Sequence, residues 1–289
     1  METVLLHKPT NDELIRHFLL NLLFIPISNM RITLIGSGNV ATHLAAAFKN
    51  AGHQIIQVYS PNYQNSALLA YHVSAEAIDD LDKLNTDTDI FVIAVKDDAI
   101  ADISKKLSIH QKLIVHTSGA TDLQVLLQDN SSAGVFYPLQ TFSKIKEVDF
   151  SQVPLCIEGS SEAVTGKLEQ LATTISKNVY RVDSAQRKIL HLAAVFACNF
   201  PNHLYAIAQS LLAQHQLDFN LLRPLIMETA QKVQESFPAN VQTGPAIRRD
   251  EQTMNNHLEL LNDQQPLQEL YKILSQGIIK MDIAINGDK

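Results

Sequence analysis

The stretch from residue 31 to residue 50, R-I-T-L-I-G-S-G-N-V-A-T-H-L-A-A-A-F-K-N, constrains this chain more than any other. Residues 31–35 are apolar and β-branched and read as a buried parallel strand. Residues 40–48 carry the Ala-rich apolar spacing of a helix. Between them Gly36 and Gly38 let the backbone turn sharply out of the strand and leave no Cβ in the way of a pyrophosphate. Ala41, the third small position, lets the helix lie close to the sheet, and the free N–H groups of its first turn are suited to phosphates. A second strand over residues 54–59 follows at the distance a dinucleotide-binding βαβ unit requires. A turn that binds nothing and a methyl-donor site on a similar fold are the alternatives.

Composition narrows the class. The chain has 289 residues, 46% hydrophobic and 18% charged, enough for a substantial core and about two domains. A net charge of −7 without a Lys/Arg cluster argues against nucleic acid and against an anionic membrane surface. Cys156 and Cys198 form no C-x-x-C, which predicts neither a disulfide scaffold nor a zinc site and points to the cytoplasm. None of the 11 histidines has a metal-ligand spacing such as H-E-x-x-H, so no metal is expected. Residues 1–29 read as a leader or extension outside the fold: the apolar run 18–27 is too short to span a bilayer, and acidic residues precede it.

The rest of the first half reads as strand-helix units. Ser60 ends the second strand, where an NAD site usually places Asp or Glu for the ribose 2′-hydroxyl. Its absence favours NADP, with NAD as the alternative, although no Arg or Lys lies between Lys49 and Lys83. Residues 90–95 form another apolar run, which places Lys96 at the carboxyl end of a central strand, where open α/β sheets bind ligands. Strand 113–116 ends in Thr117-Ser118-Gly119; Ser118 suits a nicotinamide carboxamide, or else caps a helix starting near Asp122. Strand 134–138 leads to Gln140, a candidate substrate contact, and residues 155–158 read as one more strand. The expected architecture is α/β, a doubly wound parallel sheet of seven or eight strands over residues 30–183, followed by an all-helical domain over 184–289.

In that helical half, residues 185–214 read as one long helix kinked just before Pro201, while Pro224 and Pro266 read as first-turn prolines of later helices. His191, Val195, Asn199 and His203 recur at steps of four. Reduction of a C=O or C=N bond needs a proton donor and orienting hydrogen bonds, which makes His191, Asn199 and His203 the candidate catalytic residues; satisfied core or interface histidines are the alternative. In Q-T-G-P-A-I-R-R-D, Arg248 suits a carboxylate or phosphate and Asp250 suits orienting it; a helix N-terminal loop with two solvated arginines and a first-turn carboxylate is the alternative. Wide apolar faces on these helices predict a homodimer.

The strings I-G-S-G-N-V-A-T-H-L, A-V-K-D-D, H-T-S-G, G-V-F-Y-P-L-Q-T-F, L-H-L-A-A-V-F-A-C-N-F-P-N-H and Q-T-G-P-A-I-R-R-D together resemble a bacterial family with a Rossmann-like N-terminal domain and a helical C-terminal domain of unassigned function. The plan is more distantly similar to pyrroline-5-carboxylate reductase, ketopantoate reductase and the β-hydroxyacid dehydrogenases. The resemblance implies NAD(P)-dependent hydride transfer on a small polar keto, imino or hydroxy compound. Gly36, Ser37, Gly38, Asn39 and Val40 would hold the pyrophosphate, with Ser60, Lys96 and Ser118 along the cofactor and Gln140 and Arg248 on the substrate. Where ketopantoate reductases and hydroxyacid dehydrogenases use a helix lysine, this chain offers histidines, and Lys188 lies two turns or more from Asn199. A nucleotide-sensing binding protein without turnover is the rival reading.

Overall fold

The computed structural model describes residues 29–287; the leader expected over residues 1–29 lies outside it apart from Asn29. Contacts divide the chain into two compact units, one ending at Pro201 and one beginning at Asn202. Among the described residues the first unit holds one eight-stranded sheet in the order β3-β2-β1-β4-β5-β6-β7-β8. The strands are β1 (Arg31–Ile35), β2 (Gln54–Tyr59), β3 (Glu76–Ile78), β4 (Ile90–Ile93), β5 (Leu113–His116), β6 (Ala133–Pro138), β7 (Leu155–Gly159) and β8 (Val179–Arg181). All neighbours are parallel except β6 and β7, which run antiparallel. The expected doubly wound parallel sheet of seven or eight strands is thus present, with one antiparallel pair.

Every residue of β4, β5 and β6 is buried, which is why these runs are almost continuously apolar rather than alternating, with His116 at the end of β5 the exception. Successive side chains feed two cores. Ile32, Leu34, Ile90 and Val92 face one side, packed with α1 (Asn39–Asn50), α2 (Tyr63–Val73) and α5 (Glu162–Thr173). Ile35, Phe91, Ile93 and Ile114 face the other, packed with α3 (Ile100–Leu107) and the short α4 (Gln124–Leu127). The sheet order reverses between β1 and β4, the switch point where ligands of open α/β sheets bind.

α6 (Ser184–Ala194) opens on a capping box of Asp183 and Gln186. It continues through a π-helical turn, Val195–Asn199, into α7 (Phe200–Gln214). The irregular turn falls just before Pro201, which has no N–H to continue the α-helical ladder. The second unit continues with α8 (Arg223–Glu235), α9 (Glu251–Leu260) and α10 (Gln265–Asn286); Pro224 and Pro266 stand in the first turns of α8 and α10. Among the described residues no helix is long and apolar enough to cross a membrane.

Candidate active site

A cleft of about 780 Å³ opens along the carboxyl ends of β1, β2, β4, β5 and β6. Its walls include Gly36 to Val40, Ser60, Lys96, Ser118, Gln140 and His191, so the structure gathers ten of the predicted site residues within one unit. Thr117, a small hydroxyl residue read beside Ser118 at the end of β5, lines it too, as do Tyr59, Gly119 and Tyr137, which the sequence reading did not single out. Each sits at or just past a strand's carboxyl end, the signal that would have found them.

The two glycines of the turn do different work. Gly36 has φ +122°, and a Cβ there would stand 2.2 Å from the Ala94 carbonyl oxygen, so its small size serves the packing of β1 against the end of β4. A Cβ on Gly38 would meet nothing within 4 Å. Gly38 is the N-cap of α1 with no side-chain cap, and the first turn of α1 has no acidic residue. The orphan N–H groups of that turn are therefore open to an anion. By contrast Asn62, Ser161, Asp183 and Asp250 close the starts of α2, α5, α6 and α9 with their own side chains. Asn39 donates one amide N–H to the Phe142 carbonyl at 3.0 Å, which turns its side chain toward residue 142.

Across the cleft Lys96 is exposed; its carbonyl accepts from the Ala99 N–H at 3.0 Å, while its ammonium has no hydrogen-bond or ion-pair partner among the described residues. Ser60 is buried, and its oxygen faces the Asn62 N–H at 3.4 Å. Ser118 Oγ accepts from the Ala120 and Thr121 N–H groups at 3.1 and 2.9 Å; it braces a turn instead of capping the helix near Asp122, and its own proton stays available. Gln140 turns its carbonyl back to the Thr141 N–H at 2.8 Å. Burial pushes the Tyr59 phenol up, and Asp80 and Asp79 add to that.

At the far end His191 Nδ1 meets the Tyr137 hydroxyl at 3.0 Å. Burial and, less, Cys156 push the Tyr137 phenol up to about 12, so in the resting site it is the neutral phenol. Beneath lies a buried ionic group: Arg187 donates to Glu158 Oε2 at 2.5 Å and to the Thr121 carbonyl at 2.6 Å. His116 is fully buried, and desolvation followed by the Arg187 charge lowers it to about 3. Lys188 bonds Asp122 at 3.0 Å.

The remaining predicted residues are elsewhere. Asn199 is exposed in the π-helical turn and does not line the cleft. His203 and Arg248 belong to the second unit, where both are exposed. Asp250 does not serve as an orienter of Arg248: its two oxygens take the N–H and hydroxyl of Thr253 at 3.0 and 2.7 Å, capping α9. Those bonds lower its carboxyl first, with Arg248 contributing through charge. Among the described residues no group of three His, Cys, Asp or Glu is gathered for a metal ion.

Two family models match the chain. Residues 31–119 match one described as NADP oxidoreductase coenzyme F420-dependent, and residues 153–278 match a domain of unknown function, DUF2520. No curated protein matches. Among solved structures, the putative NADP oxidoreductase BF3122 from Bacteroides fragilis is 45% identical, with a TM-score of 0.84 over 88% of this chain and 99% of that one. An imine reductase from Myxococcus stipitatus in complex with NADP+ shares the fold at 14% identity and TM-score 0.60, over 89% and 95% of the two chains. A 1-pyrroline-5-carboxylate reductase from Streptococcus pyogenes does so at 12% and 0.59, over 87% and 98%. The chain therefore belongs to the family of the Bacteroides fragilis protein, in which a Rossmann-like NADP oxidoreductase domain is joined to the C-terminal domain of unknown function DUF2520, whose match here takes in β7 and β8 as well as helices.

Proposed function

We propose that this protein is an NAD(P)-dependent oxidoreductase acting on a small polar keto, imino or hydroxy compound. The observation that carries the reading is the uncapped start of α1 at Gly38, facing open space in a cleft that Lys96, Ser118, Gln140 and His191 also line. The residues fit a dinucleotide. Backbone N–H groups of Ser37 to Val40 would hold the pyrophosphate, Ser60 the adenosine ribose, Lys96 the nicotinamide ribose and Ser118 the carboxamide. The bound nicotinamide would supply or accept the hydride. Gln140 and His191 would orient the substrate within the same unit, and Asn199, His203 and Arg248 are assigned to substrate on sequence grounds alone.

Ser60 in place of a carboxylate supports NADP over NAD, and the imine reductase neighbour was solved with NADP+. The pairing of Lys188 with Asp122 supports a histidine-assisted mechanism over one built on that lysine. A sensor without turnover has less support: Lys96, Ser118, Gln140, Tyr137 and His191 put polar side chains into a cleft that is otherwise largely apolar. Residues 184–289 are assigned to substrate closure and to a homodimer interface.

Fluorescence titration with NADPH and NADH tests the reading. Saturable binding, tighter for NADPH, is the expected result. Absence of binding by either at millimolar concentration overturns it.

A further inference from the structure

We propose that Tyr137 is a positioning residue that holds His191 by Nδ1, so that Nε2–H is the proton donor at the nicotinamide end of the cleft. The proposal rests on the oxidoreductase reading above and names a residue that reading does not use. Three observations carry it. Tyr137 stands near the carboxyl end of β6, 9% exposed, and among the described residues its hydroxyl has one partner, His191 Nδ1 at 3.0 Å. A buried phenol O–H needs an acceptor, and here that acceptor is the imidazole nitrogen. Next, Gly119 is shaped around the pair: a Cβ there would lie 2.7 Å from His191 Nδ1 and 2.9 Å from Tyr137 Cζ. Finally, both side chains line the cleft, and His191 Nε2 has no partner among the described residues.

The helix beneath is rigid where it matters. Asp183 and Gln186 box its start, and Arg187, one turn before His191, is tied to Glu158 and the Thr121 carbonyl. With Nδ1 accepting, the neutral ring carries its proton on Nε2. A bound reduced nicotinamide would supply hydride to a carbonyl or neutral imine carbon and be oxidised, the π electron pair passing to the substrate oxygen or nitrogen. That atom takes the Nε2 proton, Nδ1 takes the Tyr137 proton, and the phenolate recovers one from water. The transfer runs toward the stronger base, because the nascent alkoxide or amide is more basic than a phenolate.

The test is nitrogen NMR of the His191 imidazole in the full chain, alone, with NADP+ and with adenosine 2′,5′-bisphosphate, in wild type and Tyr137→Phe. Expected in wild type is a proton on Nε2 and an unprotonated, hydrogen-bonded Nδ1. NADP+ should shift Nε2 while the bisphosphate, which lacks nicotinamide, leaves it in place. In Tyr137→Phe the Nδ1 resonance should move to the position of a nitrogen without a hydrogen bond, with NADP+ affinity changed less than twofold. A proton on Nδ1 in wild type overturns the proposal even where the variant fails to fold. An unmoved Nδ1 in the variant, or an Nε2 indifferent to NADP+, also overturns it. Failure of NADP+, NADPH and NADH to bind removes the oxidoreductase reading and the proton-donor role together, whatever the Nδ1 resonance shows.

Discussion

The Arg187 guanidinium, with no exposed surface, donates to the Glu158 carboxylate beneath the strand ends that form the cleft. Its second arm reaches the Thr121 carbonyl and Ser184 Oγ, and Ser184 in turn donates to Glu158 at 2.8 Å. Removing one partner leaves a buried charge without compensation. Arg187→Leu and Glu158→Leu are each expected to lower stability by about 3–5 kcal/mol. Urea unfolding checks this; Arg187→Lys should not restore it, because an ammonium lacks the planar fork these acceptors fit. A loss below about 1 kcal/mol in both single variants would count against the ion pair as a structural anchor.

The glycines of the first turn separate folding from binding. Gly36→Ala places a Cβ against the Ala94 carbonyl at a φ that L residues rarely adopt, which should cost on the order of 3 kcal/mol and lower the unfolding midpoint. Gly38→Ala meets open space at φ −76°. It should fold with a change below about 1 kcal/mol yet bind NADPH at least tenfold more weakly, about 1.4 kcal/mol. Calorimetry paired with cofactor titration checks both, and a Gly38→Ala protein that keeps full affinity removes the phosphate role of that turn.

The same turn shows how far the residues themselves reveal the site. Runs buried on both faces, such as Ile90–Ile93 and Leu113–His116, are legible because a parallel strand's environment demands continuous apolar character. The antiparallel β6–β7 pair and the three-residue strands β3 and β8 were less so, since direction is set by chain return and short edges carry little pattern. Residues 94 and 95 read as strand but lie beyond β4, where the Ala94 carbonyl closes on Gly36. Tyr137 was hidden for a related reason: an aromatic inside an apolar strand looks like core until the strand is known to end at a cleft. Asp250 beside two arginines read as their orienter, whereas the local need to cap α9 claims it.

Acid should weaken the fold before carboxylates begin to titrate. The folded-state value of His116 lies near 3, against about 6.5 unfolded, so its neutral form is the one the fold accepts. Its contribution is complete above about pH 6.5 and is lost as pH falls toward 3, about 2–3 kcal/mol of it by pH 4.5. His53, lowered by burial, acts in the same direction. Asp122 and Asp250 are lowered carboxylates whose stabilisation fades only at lower pH, so the interval from 6.5 to 4.5 reports the histidines. Denaturant unfolding across that interval should show a falling stability whose slope flattens in His116→Asn. An unchanged slope in that variant assigns the acid sensitivity elsewhere.

The helices from Asn202 onward hold almost no core of their own: among described residues 202–287, Ala246 alone is buried. Leu225, Met227, Ile273 and Met281 are each about 60% exposed or more, at positions where helices of this length normally bury an apolar stripe. Short helices in water draw their stability from such burial, so these faces require a covering surface. The proposed homodimer would supply one with matching apolar character, since a two-fold pair presents the same patch twice. Light scattering at micromolar concentration should return about twice the chain mass of 32.1 kDa. Leu225→Glu and Ile273→Glu should shift the protein toward monomer and lower its unfolding midpoint together, because assembly and stability are then one equilibrium. A wild-type chain that scatters as a monomer, with both variants equally stable, rules out this use of the helical faces.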